Sequence, residues 1–155
     1  MSISGTYHGL EFSQNDGGRL EAGFKGRTGD CATRAIAIAT HQPYRKIYNA
    51  LANTQAMMTG GLERSVRDGV GIPILHHYMT SVVGWDLYRT DGEYLTSASI
   101  PMARVVVCVL PRHFVTVIDG RVCDSWDCRR SSRTKNGAQR LLGFYMAGRD
   151  LRGIV

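Results

Sequence analysis

The sequence has no long apolar run, which excludes an obvious membrane span. Its most apolar segment, Ala103–Leu110, is interrupted by Arg104, whereas a membrane-spanning helix needs about 20 apolar residues. Residues 1–20 also lack the apolar stretch of a secretory signal. We therefore expect a cytoplasmic protein that makes no membrane contact.

Cysteine is scarce, and its spacing does not favour a metal site. The four cysteines are Cys31, Cys108, Cys123 and Cys128. No pair has C-x-x-C spacing, and His76 and His77 are adjacent, so a zinc site is poorly supported. Without a secretory signal we expect reduced thiols. Cys108 lies in a valine-rich run typical of a core, and we predict neither a metal nor another cofactor.

Acidic residues are outnumbered by basic ones, and among the basic residues lysine is rare. The net charge is +6 and the isoelectric point is near 9.4, which weakly favours anionic partners. The densest basic stretch holds Arg129, Arg130, Arg133, Lys135 and Arg140, and a solvated loop explains it as well as a binding surface does. No nucleic-acid-binding motif accompanies it, so a nucleic-acid partner is not predicted.

Length and patterning predict a single domain over residues 1–155, of the α+β class. Residues 1–27 are polar and glycine-rich, which indicates an irregular lead-in with one short strand near Tyr7–Phe12. Helical patterns follow, and strand patterns dominate from Arg104 onward. This segregation predicts N-terminal helices packed on a C-terminal antiparallel sheet.

Four helices are predicted in the first half. Cys31–Thr40 is alanine-rich and apolar nearly all round, as in a buried helix, and either Thr28 or Asp30 can cap its N-terminus. A second helix begins at Pro43, and its apolar face is Tyr44, Ile47, Tyr48 and Leu51. Two shorter helices are predicted over Leu62–Asp68 and Pro73–Val83.

The second half has the patterns of β-strands, either alternating or valine-rich. The predicted strands are Gly84–Tyr88, Arg104–Leu110, His113–Ile118, Arg121–Asp124 and Gly143–Met146. Pro111-Arg112 predicts a tight break, and Asp119-Gly120 is typical of a hairpin turn. A polar loop is expected over Ser131–Gly137, with a turn of helix over Ala138–Leu142.

Cys31 lies where a loop enters the first predicted helix. Unpaired amide groups give a helix N-terminus a partial positive charge, which favours the thiolate form of a cysteine placed there. Because the thiolate is the nucleophilic form, Cys31 is a candidate nucleophile. The alternative interpretation is a small buried residue at the start of a helix.

His113 and Asp124 lie on consecutive predicted strands. The turn between the strands returns the chain toward the His113 end, so Asp124 can approach the imidazole and fix its tautomer and orientation. Asp127 is a competing carboxylate. A nucleophile, a base and an orienting carboxylate form a thiol-hydrolase set, in which the Cys31 sulfur should lie within hydrogen-bonding reach of His113.

Two segments resemble the papain-like cysteine peptidase superfamily. The first is the D-C-x-x-R-A stretch beginning at Asp30, and the second is H-F-V-x-V-I-D-G beginning at His113, followed by D-S-W at Asp124. The likeness covers roughly Asp30–Ala52 and Arg104–Trp126. It looks most like small phage and bacterial members and the bacteriocin-processing peptidases, and a phage-encoded member would act in the host cytoplasm.

The resemblance implies a papain-like fold in which Cys31 is the nucleophile, His113 the base and Asp124 the orienting carboxylate. The superfamily usually places Gln or Asn shortly before the cysteine as an oxyanion donor, and residues 25–30 contain neither. The backbone amides of Asp30 and Cys31 can serve instead. Other candidate donors are Gln14, Asn15 and Thr28.

Arg34 and Trp126 are candidates for substrate binding. Arg34 follows Cys31 by about one helical turn and could hold an acidic substrate group, although a surface or ion-paired arginine is the commoner case. Trp126 could form a wall of the cleft beside His113, or it could anchor a loop on the core.

The leading functional hypothesis is a monomeric cysteine peptidase or isopeptidase that cleaves a peptide or amide bond in a protein or peptide through a Cys31 thioester. One alternative is a cell-wall amidase or endopeptidase of the CHAP-like kind, which a +6 charge suits. Acyl transfer to an amine is another. A third is a catalytically inactive papain-like binding protein, which the missing amide side chain favours.

Overall fold

A computed structural model describes residues 2–25, 29–60, 66 and 69–148, with side chains from residue 5 onward. Within these ranges three helices pack on one seven-stranded mixed sheet, so the predicted α+β class is confirmed. None of the helices in these ranges has the length and apolar character needed to cross a membrane.

The helices in this part of the chain are α1, Cys31–Thr40; α2, Tyr44–Thr59; and α3, Ile72–His77, which continues into a π-helical segment, Tyr78–Val83. Each agrees with a predicted helix. Pro43 immediately precedes α2 in an extended conformation, with φ −57° and ψ 139°. The helix predicted over Leu62–Asp68 lies outside the described residues, apart from Val66.

The strands are β1, Ser2–Tyr7; β2, Leu10–Gln14; β3, Trp85–Tyr94; β4, Val105–Leu110; β5, His113–Ile118; β6, Arg121–Asp124; and β7, Arg140–Ala147. Their order in the sheet is β1-β2-β6-β5-β4-β7-β3. The five predicted strands are present, and both predicted turns join them. Asp119 and Gly120 have φ of 46° and 74°, as a two-residue hairpin turn requires.

The N-terminal region differs from its prediction. The expected irregular lead-in contains a hairpin, and the single strand predicted over Tyr7–Phe12 spans its turn at His8-Gly9, where φ is 51° and 80°. The sheet is therefore mixed rather than antiparallel, because β2 pairs with β6 in parallel. The polar composition concealed these strands, since β2 buries only Leu10 and Phe12.

The turn of helix predicted over Ala138–Leu142 is also wrong. Ala138 forms an isolated bridge with Arg130, and β7 begins at Arg140. β7 lies between β3 and β4, so its backbone groups are paired on both edges. This pairing outweighs the intrinsic helical preference of the Ala-Gln-Arg-Leu-Leu sequence.

The two faces of the sheet bury different sets of side chains. The face toward the helices includes Val107, Val109 and Phe114, which pack with the apolar residues of α1 and α2. Residues of alternate parity, such as Val115 and Val117, belong to a second cluster on the opposite face. This alternation fixes which strand residues can meet α1.

Helix α1 is attached to β5 by packing and by one buried hydrogen bond. Eight of its ten residues are buried, from Ala32 to Ala39. The fully buried hydroxyl of Thr116 donates to the carbonyl oxygen of Ala35 at 2.5 Å. The bond ties the middle of α1 to the middle of β5.

We expect Thr116→Val to lower the free energy of unfolding by about 1 kcal/mol, because it removes this hydrogen bond while nearly keeping the side-chain volume. Urea unfolding measures the change. The matched control is Thr6→Val on an exposed position of β1, which should stay within about 0.5 kcal/mol of the parent. Equal losses in the two variants would contradict the assigned role of Thr116.

Candidate active site

Cys31 is the first residue of α1, at the boundary between the apolar core and an open cleft. Its side chain is half-buried and packs against the cluster beneath the helices. The other three cysteines are buried, and no cysteine in the described ranges forms a disulfide. Cys31 is therefore the thiol that solvent and ligands can reach.

His113 and Asp124 meet through the pairing of β5 with β6. Thr116 pairs with Cys123, so one step further along the register Val115 lies opposite Asp124, and His113 lies two residues away on the same face. His113 Nε2 and Asp124 Oδ2 are 2.6 Å apart. The carboxylate holds one ring nitrogen and leaves Nδ1 for another partner.

Cys31 and His113 line the same cleft, and Cys31 is among the groups that raise the pKa of the His113 imidazole. By alternation His113 belongs to the sheet face opposite α1. The two side chains still meet because each is the first residue of its element, at one end of the sheet. The structure thus brings the three predicted residues together.

His113 carries a strongly raised pKa. Burial lowers the pKa, but hydrogen bonds with Asp124, Cys128 and Cys31 outweigh it and raise the pKa from 6.5 to about 11. The imidazole is therefore cationic at neutral pH. A cation at this position balances the buried Asp124 carboxylate and can stabilise negative charge on a neighbouring sulfur.

Asp124 is almost completely buried, and several donors satisfy its carboxylate. Besides His113, the backbone N–H of Ser125 donates to Oδ1 at 2.7 Å, and Arg34 Nη2 lies 3.3 Å from the same oxygen. The competing carboxylate of Asp127 is instead paired with Arg129, at 2.9 Å to both Nε and Nη2. Asp124 is thus the carboxylate that orients His113.

Arg34 joins the start of α1 to the end of β6. Its guanidinium contacts the Asp124 carboxylate and also bonds to Asp30, the residue before Cys31. Asp30 is buried and further interacts with the Tyr44 hydroxyl and with Arg19, whose Nε lies at 3.1 Å. Arg34 is therefore the ion-paired arginine of the two alternatives, although it also lines the cleft.

Asp30 occupies the N-cap position of α1 without capping it. Its side chain makes no hydrogen bond to the first turn, contrary to the prediction, because its oxygens bind the arginines and Tyr44. The other predicted cap, Thr28, lies outside the described residues. The Asp30 carboxylate therefore leaves the first-turn amides of α1 to other acceptors.

The cleft above Cys31 has a volume of about 480 Å³. Its walls come from Gly29, from residues 69–72 and from the turn between β4 and β5. Trp126 is 50% exposed, and its ring centroid lies 5.0 Å from that of His113, so it forms a wall of the cleft as predicted. Gln14 and Asn15 do not line this cleft.

Cys128 is a member of the site that sequence reasoning missed. It is fully buried, and its sulfur, a His113 nitrogen and an Asp124 oxygen all lie within 4.8 Å of one another. Burial raises the pKa of its thiol, and the hydrogen bond with His113 opposes that effect. These three donors could hold a zinc ion, but the Arg34 guanidinium on Asp124 disfavours a cation there.

Comparison with known proteins gives no match: no protein-family model, no curated protein and no solved structure is similar to the chain.

We expect Arg34→Met to lower the free energy of unfolding by about 3–5 kcal/mol, because it leaves two buried carboxylates without their shared cation. The matched control is Arg121→Met. Arg121 pairs with Glu11 at 2.7 Å, but its side chain is 51% exposed, so the loss should be much smaller than in Arg34→Met. Urea unfolding measures both variants, and similar losses would contradict the buried role of Arg34.

A second prediction concerns the proton on His113. Its folded pKa exceeds its unfolded pKa, so the stabilisation from this proton is complete below pH 6.5 and is lost as the pH rises toward about 11. Imidazole NMR should find His113 protonated at about pH 8. Between about pH 6.5 and 9, the free energy of unfolding should fall less in His113→Gln than in the parent chain. A neutral His113 at about pH 8 would contradict the assignment.

Proposed function

We propose that the chain is a papain-like cysteine hydrolase that cleaves a peptide or amide bond through a thioester on Cys31. The observation that carries the proposal is the series of Cys31, the His113 imidazole and the Asp124 carboxylate: Cys31 and His113 line one cleft, and His113 is hydrogen-bonded to Asp124. The series opens on a cleft, and its nucleophile stands at the N-terminus of a buried helix. Each member is the residue type its role requires.

The first half of the reaction would be acylation. The Cys31 sulfur attacks the carbonyl carbon, and the carbonyl π electrons move to oxygen. When the tetrahedral intermediate collapses, the C–N bond breaks and the imidazolium of His113 gives its proton to the leaving amine. Because Nε2 is held by Asp124, the proton comes from Nδ1.

The second half would be deacylation. The neutral imidazole takes a proton from water as the water oxygen attacks the thioester carbonyl, and collapse of this intermediate expels the Cys31 thiolate beside the re-formed imidazolium. The backbone N–H of Cys31, at the first turn of α1, is the proposed oxyanion donor. It takes the place of the Gln or Asn side chain that residues 25–30 lack.

Arg34 and Asp30 would act as positioning residues. Arg34 contacts both the carboxylate that orients His113 and the residue that precedes the nucleophile. The arginine therefore fixes the relative positions of the base and the nucleophile without touching the reacting atoms.

We expect Cys31 to react with iodoacetamide faster in the folded chain than in the urea-unfolded chain at neutral pH. Exposure alone cannot give this result, because unfolding exposes the thiol fully, whereas the proposed imidazole partner activates the sulfur only in the folded chain. Peptide mapping separates the four thiols. Burial raises the pKa of Cys108, Cys123 and Cys128, so these should react more slowly in the folded chain.

The control for this labelling is His113→Gln, which should remove the acceleration and leave the unfolded rate unchanged. Slower labelling of Cys31 in the folded chain would contradict the proposal. Cleavage of a mixture of proteome-derived peptides, followed by mass spectrometry, tests turnover, with Cys31→Ala inactive and Cys123→Ala active. Clearing of cell-wall material without peptide cleavage would favour the CHAP-like alternative, and an effect that survives Cys31→Ala would favour a binding protein.

A further inference from the structure

A second groove adjoins the candidate active site and is rich in arginine. It has a volume of about 570 Å³, within the range of ligand sites. The basic side chains that line it are Arg112, Arg130, Arg133 and Arg140. Three of them come from the basic stretch of the sequence, and the fourth comes from the turn between β4 and β5.

The positive charge of this arginine groove is not balanced by acidic side chains in the groove lining. No aspartate or glutamate lines it, and none of its four arginines forms an ion pair within the ranges that the structure describes. Asp127 is near Arg130, but its carboxylate oxygens are bonded to Arg129. Four exposed cations on one concave surface attract an anionic ligand.

Two of the arginines are held in place by aromatic rings rather than by carboxylates. The Arg130 guanidinium lies 3.9 Å from the centroid of the Tyr7 ring, and that of Arg140 lies 5.9 Å from the centroid of the Tyr94 ring. Cation–π stacking on one face leaves the N–H groups at the edge of a guanidinium able to bind oxygen. These side chains are therefore positioned for a ligand.

The arginine groove is continuous with the cleft of Cys31. Both cavities are lined by Arg112, His113 and Trp126, whereas Cys31 lines only the cleft. The groove and the cleft thus meet at His113, and the thiol belongs to the cleft and not to the groove. The general acid must face the leaving group, so a substrate that spans both would place its leaving-group side in the groove.

We propose that the arginine groove binds acidic side chains of a peptide substrate on the leaving-group side of the bond that is cleaved. The inference rests on the proposed thiol hydrolase for its orientation. A peptide fits better than a nucleic acid because the adjoining thiol attacks carbonyl carbons, so the molecule that spans both sites presents a carbonyl. The preference is for Asp or Glu shortly after the cleaved bond.

Fluorescence anisotropy tests binding without catalysis. The protein is the full chain with Cys31→Ala, and the probes are a short fluorescein-labelled peptide of Glu and Ser and its counterpart with Gln in place of Glu. We expect the Glu peptide to bind at least about tenfold more tightly than the Gln peptide, and to weaken as the ionic strength rises from about 0.05 to about 0.5 M.

Charge-matched variants localise the binding. Arg130→Gln with Arg133→Gln should weaken binding of the Glu peptide about tenfold. The control removes the same charge from Arg45 and Arg104, which are exposed, bond to backbone carbonyls and lie outside the groove, and it should leave the affinity nearly unchanged. Equal losses in both double variants would overturn the groove assignment, and tighter binding of a single-stranded oligonucleotide would overturn the peptide assignment.

The peptide-mixture digest supplies the second readout. With Cys31 present, products should be enriched in peptides cut shortly before Asp or Glu, and the enrichment should disappear in the Arg130 and Arg133 double variant. Cleavage without an acidic preference would overturn the proposal and leave the hydrolase intact. Selective binding of the Glu peptide without any cleavage would support the groove as an anionic-peptide site and count against the hydrolase.

Discussion

The Arg34 guanidinium is the contact on which the site depends, because it joins two carboxylates from opposite layers of the fold. Asp30 ends the loop before α1, and Asp124 ends β6. Two buried carboxylates would repel each other, and burying each of them costs free energy of desolvation. A guanidinium shared by both offsets these two costs and links the helix to the sheet. The thiol and the imidazole take their relative positions from this connection.

The fold was largely predictable wherever the hydrophobic pattern was strong. The alanine-rich α1 and the valine-rich β4 are continuous apolar segments typical of buried elements, and the Asp119-Gly120 turn fixes the register of β5 with β6. The N-terminal hairpin was missed because its composition is polar and β2 buries only Leu10 and Phe12. Its parallel pairing with β6 is a long-range contact that local patterns do not contain.

The candidate site divides in the same way. Cys31, His113 and Asp124 were identifiable because each lies at the start or end of a recognisable element, and the hairpin brings the last two together. Cys128 could not be assigned, because its place beside His113 depends on the path of the loop after β6. The preference of Asp30 for arginines over the helix amides was equally hidden, since a cap residue and a buried ion-pair partner have the same sequence signature.

The long separation in sequence between Cys31 and its partners has a consequence during synthesis on the ribosome. The helix that bears the thiol is translated early, whereas the imidazole, its carboxylate and the cysteine behind it come from strands and a loop made much later. Non-local contacts of this kind form only after the intervening chain is available to close the loop. A nascent chain would therefore carry the Cys31 thiol without its His113 and Asp124 neighbours until the sheet is nearly complete.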